Sequence, residues 1–206
     1  MIETEPSVAA SLFGDRIDLA REFARELGDR GEELGLIGPL EAPRLWSRHI
    51  LNCVLPAPLL RPGLVGDIGS GAGLPGVVLA IARPDVEFVL VEPMERRVEW
   101  LRSESVRLGL DNVRVERARA EDAALVECLD QVTARAVSSL AKLIPITAPL
   151  ARRGGELLFM KGARVADEVT AASKQIRAAR LSRVEVLVLG EGIVPEATRV
   201  FRATVD

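Results

Sequence analysis

The chain has 206 residues, 48% of them hydrophobic, and a net charge of −3, which allows one substantial α/β domain with a small extension and excludes two full domains. No stretch reaches the roughly 20 apolar residues of a membrane span, and Glu3 and Glu5 occupy the place where a secretory signal would be basic. Cys53, Cys128 and the single His49 cannot supply four soft ligands, so structural zinc is not expected, and free thiols point to a reducing cytoplasm.

In chain order, Ile17, Ala20, Ala24 and Leu27 recur at helical spacing and predict an amphipathic helix over 15–27, broken up by Gly28, Gly31, Gly35 and Gly38 with Pro39. A second helix is predicted from Arg44 to Val54, ended by Pro56 and Pro58. After Pro62-Gly63 short apolar runs alternate with helical patterns. Strands are predicted at 64–68, 86–92, 113–116, 131–136 and 156–161, and helices at 75–83, 94–108, 139–151 and 164–180. This alternation implies a parallel sheet covered on both faces. Strands 184–189 and 199–205 follow with no helix between them and should pair antiparallel through the Gly190–Thr198 loop, the layout of class I methyltransferases. The expected organisation is an N-terminal helical extension, 1–60, and a Rossmann-like domain, 61–206. Charge divides unevenly: residues 1–40 carry nine acids and four bases, the remainder 21 acids and 23 bases. A weakly basic body of this kind can still hold a local phosphate-binding patch.

The run from Asp67 to Gly76, Asp-Ile-Gly-Ser-Gly-Ala-Gly-Leu-Pro-Gly, follows a strand and opens a helix. In open α/β sheets ligands bind beyond the carboxyl ends of the strands, where this turn falls. Gly69, Gly71 and Gly73 let the backbone approach a ligand closely, and the acid-x-Gly-x-Gly-x-Gly pattern is similar to the first motif of S-adenosylmethionine enzymes. The same residues also satisfy G-x-G-x-x-G, the dinucleotide fingerprint. Pro75, expected in the first helical turn, removes an N–H that a pyrophosphate would use, and Asp67 suits the cationic methionine end of S-adenosylmethionine, which it is expected to face. Glu92 at the tip of the second strand can accept from both ribose hydroxyls, a feature that methyltransferases share with NAD enzymes; an acid complementing a helix dipole is the plainer alternative. Arg119-Ala120-Glu121-Asp122 follows the third strand, where class I enzymes clamp adenine, though a capping acid would look the same.

What is absent narrows the chemistry. The stretch after the fourth strand, Ala134-Arg135-Ala136-Val137-Ser138, lacks the Asn/Asp-Pro-Pro-aromatic run of exocyclic-amino methylation. Neither cysteine has the setting of a cytosine-C5 nucleophile. Guanine N7, with an in-plane lone pair and no proton to lose, needs no general base, so catalysis reduces to in-line placement and charge management. No catalytic residue is assigned.

Together, Leu45-Trp46-Ser47-Arg48-His49-Ile50, the loop Asp67–Gly76, Glu92 followed by Arg96-Arg97, Ala120-Glu121, Arg135-Ala136 and Lys161-Gly162 resemble the RsmG (GidB) family of 16S rRNA guanine-N7 methyltransferases, in order and spacing across roughly residues 42–165. The resemblance implies that Gly69, Gly71, Leu74, Glu92, Ala120, Glu121 and Arg135 line an S-adenosylmethionine pocket. It implies too that Arg48, His49, Arg96, Arg97 and Lys161 meet RNA, at a guanosine in the helix 18 loop. The partner would be 16S rRNA or the small ribosomal subunit, with neither DNA nor membrane, and the protein a cytoplasmic monomer without a metal. Asn52-Cys53 replaces an expected Asp-Ser, and Arg96 an expected lysine. His49 shares the apolar stripe of Trp46, Ile50 and Cys53, so a packed, hydrogen-bonded histidine stands beside the substrate-side role. An NAD-dependent oxidoreductase, a non-catalytic S-adenosylmethionine-binding module and a small-molecule methyltransferase remain as alternatives.

Overall fold

The computed structural model describes residues 2–206. Helices α1 (Ala9–Phe13), α2 (Ile17–Arg30) and α3 (Leu51–Val54) precede a regular alternation: β1 (Leu64–Ile68), α4 (Gly76–Ala82), β2 (Glu87–Val91), α5 (Glu95–Arg107), β3 (Val113–Glu116), β4 (Leu129–Arg135), α6 (Leu140–Thr147) and β5 (Ala151–Lys161). Then come α7 (Val165–Ala171), α8 (Ser173–Ala178), β6 (Leu181–Leu189) and β7 (Thr198–Val205). The seven strands form one sheet ordered β3-β2-β1-β4-β5-β7-β6. β1 to β5 pair in parallel, and β7 runs antiparallel between β5 and β6.

Successive strand residues point to opposite faces, and β2 shows the consequence. Phe88 and Leu90 pack with Phe23, Leu27, Ile50, Leu79 and Leu101 from the N-terminal helices, α4 and α5. Val89 and Val91 pack with Leu143, Ile144, Val165 and Phe159 on the other side. A strand buried on both faces reads as a continuous apolar run, as Phe88-Val-Leu-Val91 does. Phe159 and Phe201 face each other across β5 and β7 with ring centroids 5.9 Å apart, a stacked cross-strand pair that fixes the register of the antiparallel closure.

Several elements depart from the sequence expectation. The helix expected over Arg44–Val54 is a 3₁₀ turn (Ala42–Arg44), a π turn (Trp46–Ile50) and then α3. In the π turn the Leu51 N–H donates to the Trp46 carbonyl, an i→i+5 bond; such widened turns concentrate at functional sites, and this one carries Arg48 and His49. The helix expected at 164–180 breaks at Ala172, which is fully buried, while the Thr170 hydroxyl bonds back to the Ala166 carbonyl at 3.1 Å, a contact that bends helices. Strand β5 starts at Ala151 rather than at 156, with Gly154 at φ +77 inside it. In addition, α2 runs through Gly28 to Arg30, and Phe23, absent from the periodic set, is among its buried residues.

Sheet order reverses between β1, which leads towards β2 and β3, and β4, which leads the other way. The crevice at the carboxyl ends of these strands is the switch point at which doubly wound sheets bind ligands.

Candidate active site

The glycine loop is held open by its own acids. Asp67 is fully buried; its Oδ2 accepts the Gly76 N–H at 3.0 Å and its Oδ1 the Thr133 hydroxyl at 3.1 Å. This corrects the expectation that Asp67 faces the methionine end of a cofactor: both oxygens are spent inside the fold. Pro75 is the N-cap of α4 rather than a first-turn residue. With Pro75 lacking an N–H and the Gly76 N–H taken, the start of α4 has little to offer a pyrophosphate, which weighs against a dinucleotide. Gly69 adopts φ +72, and a Cβ there would lie 2.8 Å from the Val137 side chain. Gly73, at φ +91, would drive a Cβ into Val77.

Burial pushes the Asp67 carboxyl up to about 6, against hydrogen bonds that act to lower it. Between about pH 4 and 6 the native protein therefore holds a proton that the unfolded chain has released, so stability falls as pH rises through that window and stays lowered above it. Asp67→Asn keeps an acceptor and a donor in place. It is expected to shrink this fall in urea melts by about 1–3 kcal/mol; an unchanged pH profile would show that the carboxylate is at no disadvantage in the fold.

Glu92 directly follows β2 and is almost fully buried. Its Oε2 accepts the Gly71 N–H at 2.9 Å and its Oε1 the Met94 N–H at 3.0 Å. One carboxylate thus ties the glycine loop to the β2–α5 turn, and each oxygen keeps acceptor capacity for a hydroxyl donor. Around it lies a cleft of about 330 Å³ lined by Gly69, Glu92, Met94, Arg97, Ala120 and Glu121, with Arg135 and Val137 closing one side. A neighbouring hollow of about 300 Å³ adds Glu41, His49, Gly71 and Leu74 and shares Gly69, Arg97, Arg135 and Ala136. A third cavity, about 580 Å³, opens on the far side of Arg135 and Ala136, between the ends of β4 and β5. Arg48, Asn52, Lys161, Glu168, Glu196 and Arg199 line it. Arg135 and Ala136 belong to all three walls, and Ala136 sits at φ +56, a strained conformation for a residue with a Cβ and one that clusters at functional sites.

The first two hollows suit S-adenosylmethionine on structural grounds. The Arg97 Nε is buried without a partner, in a side chain that lines both. Met94 and Val137, large apolar residues that the fold leaves exposed, flank the cleft where an adenine would cover them.

Arg135 ends β4 with its guanidinium held by neutral acceptors: Cys53 Sγ at 3.1 Å, the Arg48 carbonyl at 3.2 Å and His49 Nδ1 at 2.8 Å. Among the described residues no carboxylate stands within ion-pair distance of it. His49 Nε2 in turn lies 2.6 Å from Glu41 Oε2. The Arg44 guanidinium and, next, His49 hold the Glu41 carboxyl down at about 2, while burial and then the Arg135 charge push His49 below its ordinary value.

Every residue expected around the cofactor therefore lines one of the first two hollows. Of those expected to meet RNA, Arg48 and Lys161 line the third cavity, whereas His49 and Arg97 line the first two hollows. Arg96 is exposed, reaches towards Gly35 and lines none of the three cavities. Lys161 is itself engaged, paired with Glu168 at 2.7 Å and donating to the Ser138 carbonyl at 2.8 Å. Glu41 and Cys53 are not among the expected site residues, because no motif marks them; Cys53 shows in the sequence only as half of the departure from Asp-Ser and as a neighbour of His49 on one helical stripe.

The family model described as GidB, rRNA small subunit methyltransferase G, matches residues 16–195. The chain is 69% identical over 205 residues to the ribosomal RNA small subunit methyltransferase G of Clavibacter michiganensis subsp. michiganensis, covering 100% of this chain and 97% of that protein. It is 64% identical over 204 residues to the protein of the same name from Leifsonia xyli subsp. xyli, covering 99% and 98%. Among solved structures, a SAM-dependent methyltransferase from Aquifex aeolicus superposes with a TM-score of 0.56 at 18% identity, covering 91% of this chain and 98% of that one. A SAM-dependent O-methyltransferase from Thermotoga maritima superposes with a TM-score of 0.57 at 18% identity, covering 76% and 65%. At these identities the two structures show the class I methyltransferase fold.

Proposed function

The chain belongs to the GidB family, rRNA small subunit methyltransferase G, and we propose that it methylates N7 of a guanosine in the helix 18 loop of 16S rRNA. It is an S-adenosylmethionine-dependent rRNA methyltransferase. The observation that carries the finer reading is the shared wall of Arg135 and Ala136, with the cofactor hollows on one side and an open, cation-rimmed cavity on the other. A base seated in the outer cavity meets the cofactor across that wall.

S-adenosylmethionine, when bound, supplies an electrophilic methyl group on a sulfonium. The chain's own groups position and shield. Glu92 receives the ribose hydroxyls, the loop from Gly69 to Leu74 accommodates the methionine portion, and Ala120 with Glu121 borders the adenine. Among the described residues, both carboxylates that line the outer cavity have a cationic neighbour. Glu168 accepts from Lys161 and from the Leu140 N–H at 3.0 Å, and Glu196 lies 3.8 Å from Arg48. Cys53 is buried with its thiol pushed up by desolvation, and Cys128 lies at the opposite end of β4, so neither serves as a nucleophile. Attack by N7, which loses no proton, fits a site built in this way. Arg48 and Arg199 on the outer cavity supply the phosphate contacts, Lys161, tied to Glu168, faces the substrate from the same wall, and residues 1–60 act as an extension that brings Arg48 and His49 to the site.

We further read the protein as a cytoplasmic monomer that engages neither DNA nor membrane; no helix among the described residues is long and apolar enough to cross one. The test is transfer of labelled methyl to small subunits and to free 16S rRNA from a strain lacking the gene, with nucleoside analysis. N7-methylguanosine at one position supports the reading, and label on another atom or only on small molecules overturns it. Arg48→Glu is expected to raise KM for the ribosomal substrate about tenfold; an unaltered KM would remove Arg48 from the RNA contact.

A further inference from the structure

The contacts around Arg135 form a chain that starts outside the motifs. Arginine donates only, so His49 Nδ1, 2.8 Å from an Arg135 nitrogen, has to be the acceptor and carries no proton. The imidazole proton then sits on Nε2 and is donated to Glu41 Oε2 at 2.6 Å. The charges of the neighbours agree. The Glu41 carboxyl is held at about 2 and stays ionised, and burial with the Arg135 charge keeps His49 neutral. Cys53, which accepts from the other Arg135 nitrogen, remains a thiol because burial raises it.

The arrangement is unusual for its economy of charge. A carboxylate placed directly on Arg135 would neutralise it. Interposing a neutral imidazole leaves the guanidinium oriented but uncompensated, at the point where all three cavities meet. We propose that Glu41 and His49 are positioning residues: Glu41 fixes the Nε2–H tautomer of His49, and His49 Nδ1 holds Arg135 in place as a free cation between the cofactor hollows and the substrate cavity. This rests on the methyltransferase reading given above. The relay fails on the acid side. When His49 gains its second proton, Nδ1 becomes a donor and repels Arg135, so the grip on Arg135 loosens as pH falls through the histidine pKa. The charged groups facing His49 are Glu41 from the preceding turn, Arg48 from its own turn and Arg135 from β4; of these only Glu41 raises that pKa.

His49 is the only histidine in the chain, so a ¹⁵N-histidine spectrum of the whole protein reports one site. Expected is a pyridine-type Nδ1 and a pyrrole-type Nε2 at neutral pH. Cofactor affinity, measured by calorimetry across pH, gives the second readout. His49→Ala is expected to weaken S-adenosylmethionine binding about tenfold. His49→Asn, whose amide oxygen overlays Nδ1, should recover most of that loss and abolish the acid limb; His49→Gln, which overlays Nε2 instead, should not recover it. Glu41→Leu should move the acid limb to lower pH. A proton found on Nδ1, or wild-type affinity and pH dependence in His49→Gln, overturns the relay while leaving the methyltransferase assignment intact. A wild-type protein that neither binds S-adenosylmethionine nor transfers methyl overturns the assignment itself, and the tautomer spectrum would still decide the relay.

Discussion

Arg135→Ala is expected to lower kcat/KM for methyl transfer to the small ribosomal subunit by about 10²–10⁴, comparable to the removal of a preorganised charged donor from an active site. The reasoning is electrostatic. A half-buried guanidinium with no carboxylate partner keeps its charge available, and its three neutral acceptors fix its direction. Because the side chain borders the cofactor hollows as well as the outer cavity, its loss should weaken cofactor binding together with turnover. Folding should survive, since no ion pair is broken. Three acceptors are released, of which the Arg48 carbonyl lies in a helical turn and the Cys53 thiol is a weak acceptor. Arg135→Lys should remain far below wild type, because one ammonium cannot span Cys53, Arg48 and His49 as the planar fork does. Calorimetric cofactor binding and labelled-methyl kinetics check both variants, with a thermal melt to establish folding; unchanged kinetics in Arg135→Ala would remove the residue from the site.

The parts of this site that could be read from the sequence were those encoded locally. A strand, a glycine run and a helix in succession have one structural outcome, so Gly69, Gly71 and Glu92 could be placed at the carboxyl edge of the sheet, where they line the hollows, before any fold was known. Arg135 stood out because a charged residue in an apolar run needs a reason. What failed were inferences about direction. Asp67 lies in the motif next to the pocket yet turns inward, because the first turn of α4 leaves the Gly76 N–H to be satisfied and Asp67 is the acceptor that reaches it. His49 was ambiguous between core and site, and its environment shows why: it is largely buried and hydrogen-bonded at both nitrogens to groups that border the hollows. Periodicity treats such a residue as one or the other. The π turn was also hidden, since one extra residue in a turn leaves no compositional trace, yet it sets which way Arg48 and His49 point. The RNA-side arginines divide for a similar reason. Arg96 and Arg97 are adjacent on α5, and adjacent helical residues do not share a face, so one borders the cofactor cleft and the other lies over the Gly35 turn.

Glu92→Ala should be the most damaging substitution on the cofactor side, and its effect divides into two parts. The first is structural. The Gly71 and Met94 N–H groups lose a charged acceptor in a nearly dry setting, at about 1.5–3 kcal/mol each for hydrogen bonds to charged groups, so the glycine loop and the β2–α5 turn are no longer joined. The second is the lost acceptor for the ribose hydroxyls, of similar size. Part of the structural loss is shared by free and bound protein, so S-adenosylmethionine affinity is expected to fall by about 10²–10³ rather than by the full sum. Glu92→Gln separates the two contributions. Its amide oxygen can keep one backbone N–H, while its NH₂ is a donor facing either a second N–H or a hydroxyl, so the variant should melt closer to wild type than Glu92→Ala and still bind the cofactor poorly. If instead Glu92→Gln binds normally, the carboxylate serves the loop alone and the ribose is held elsewhere in the cleft. If both variants melt like wild type but fail to bind, the ribose contact is the whole of its role.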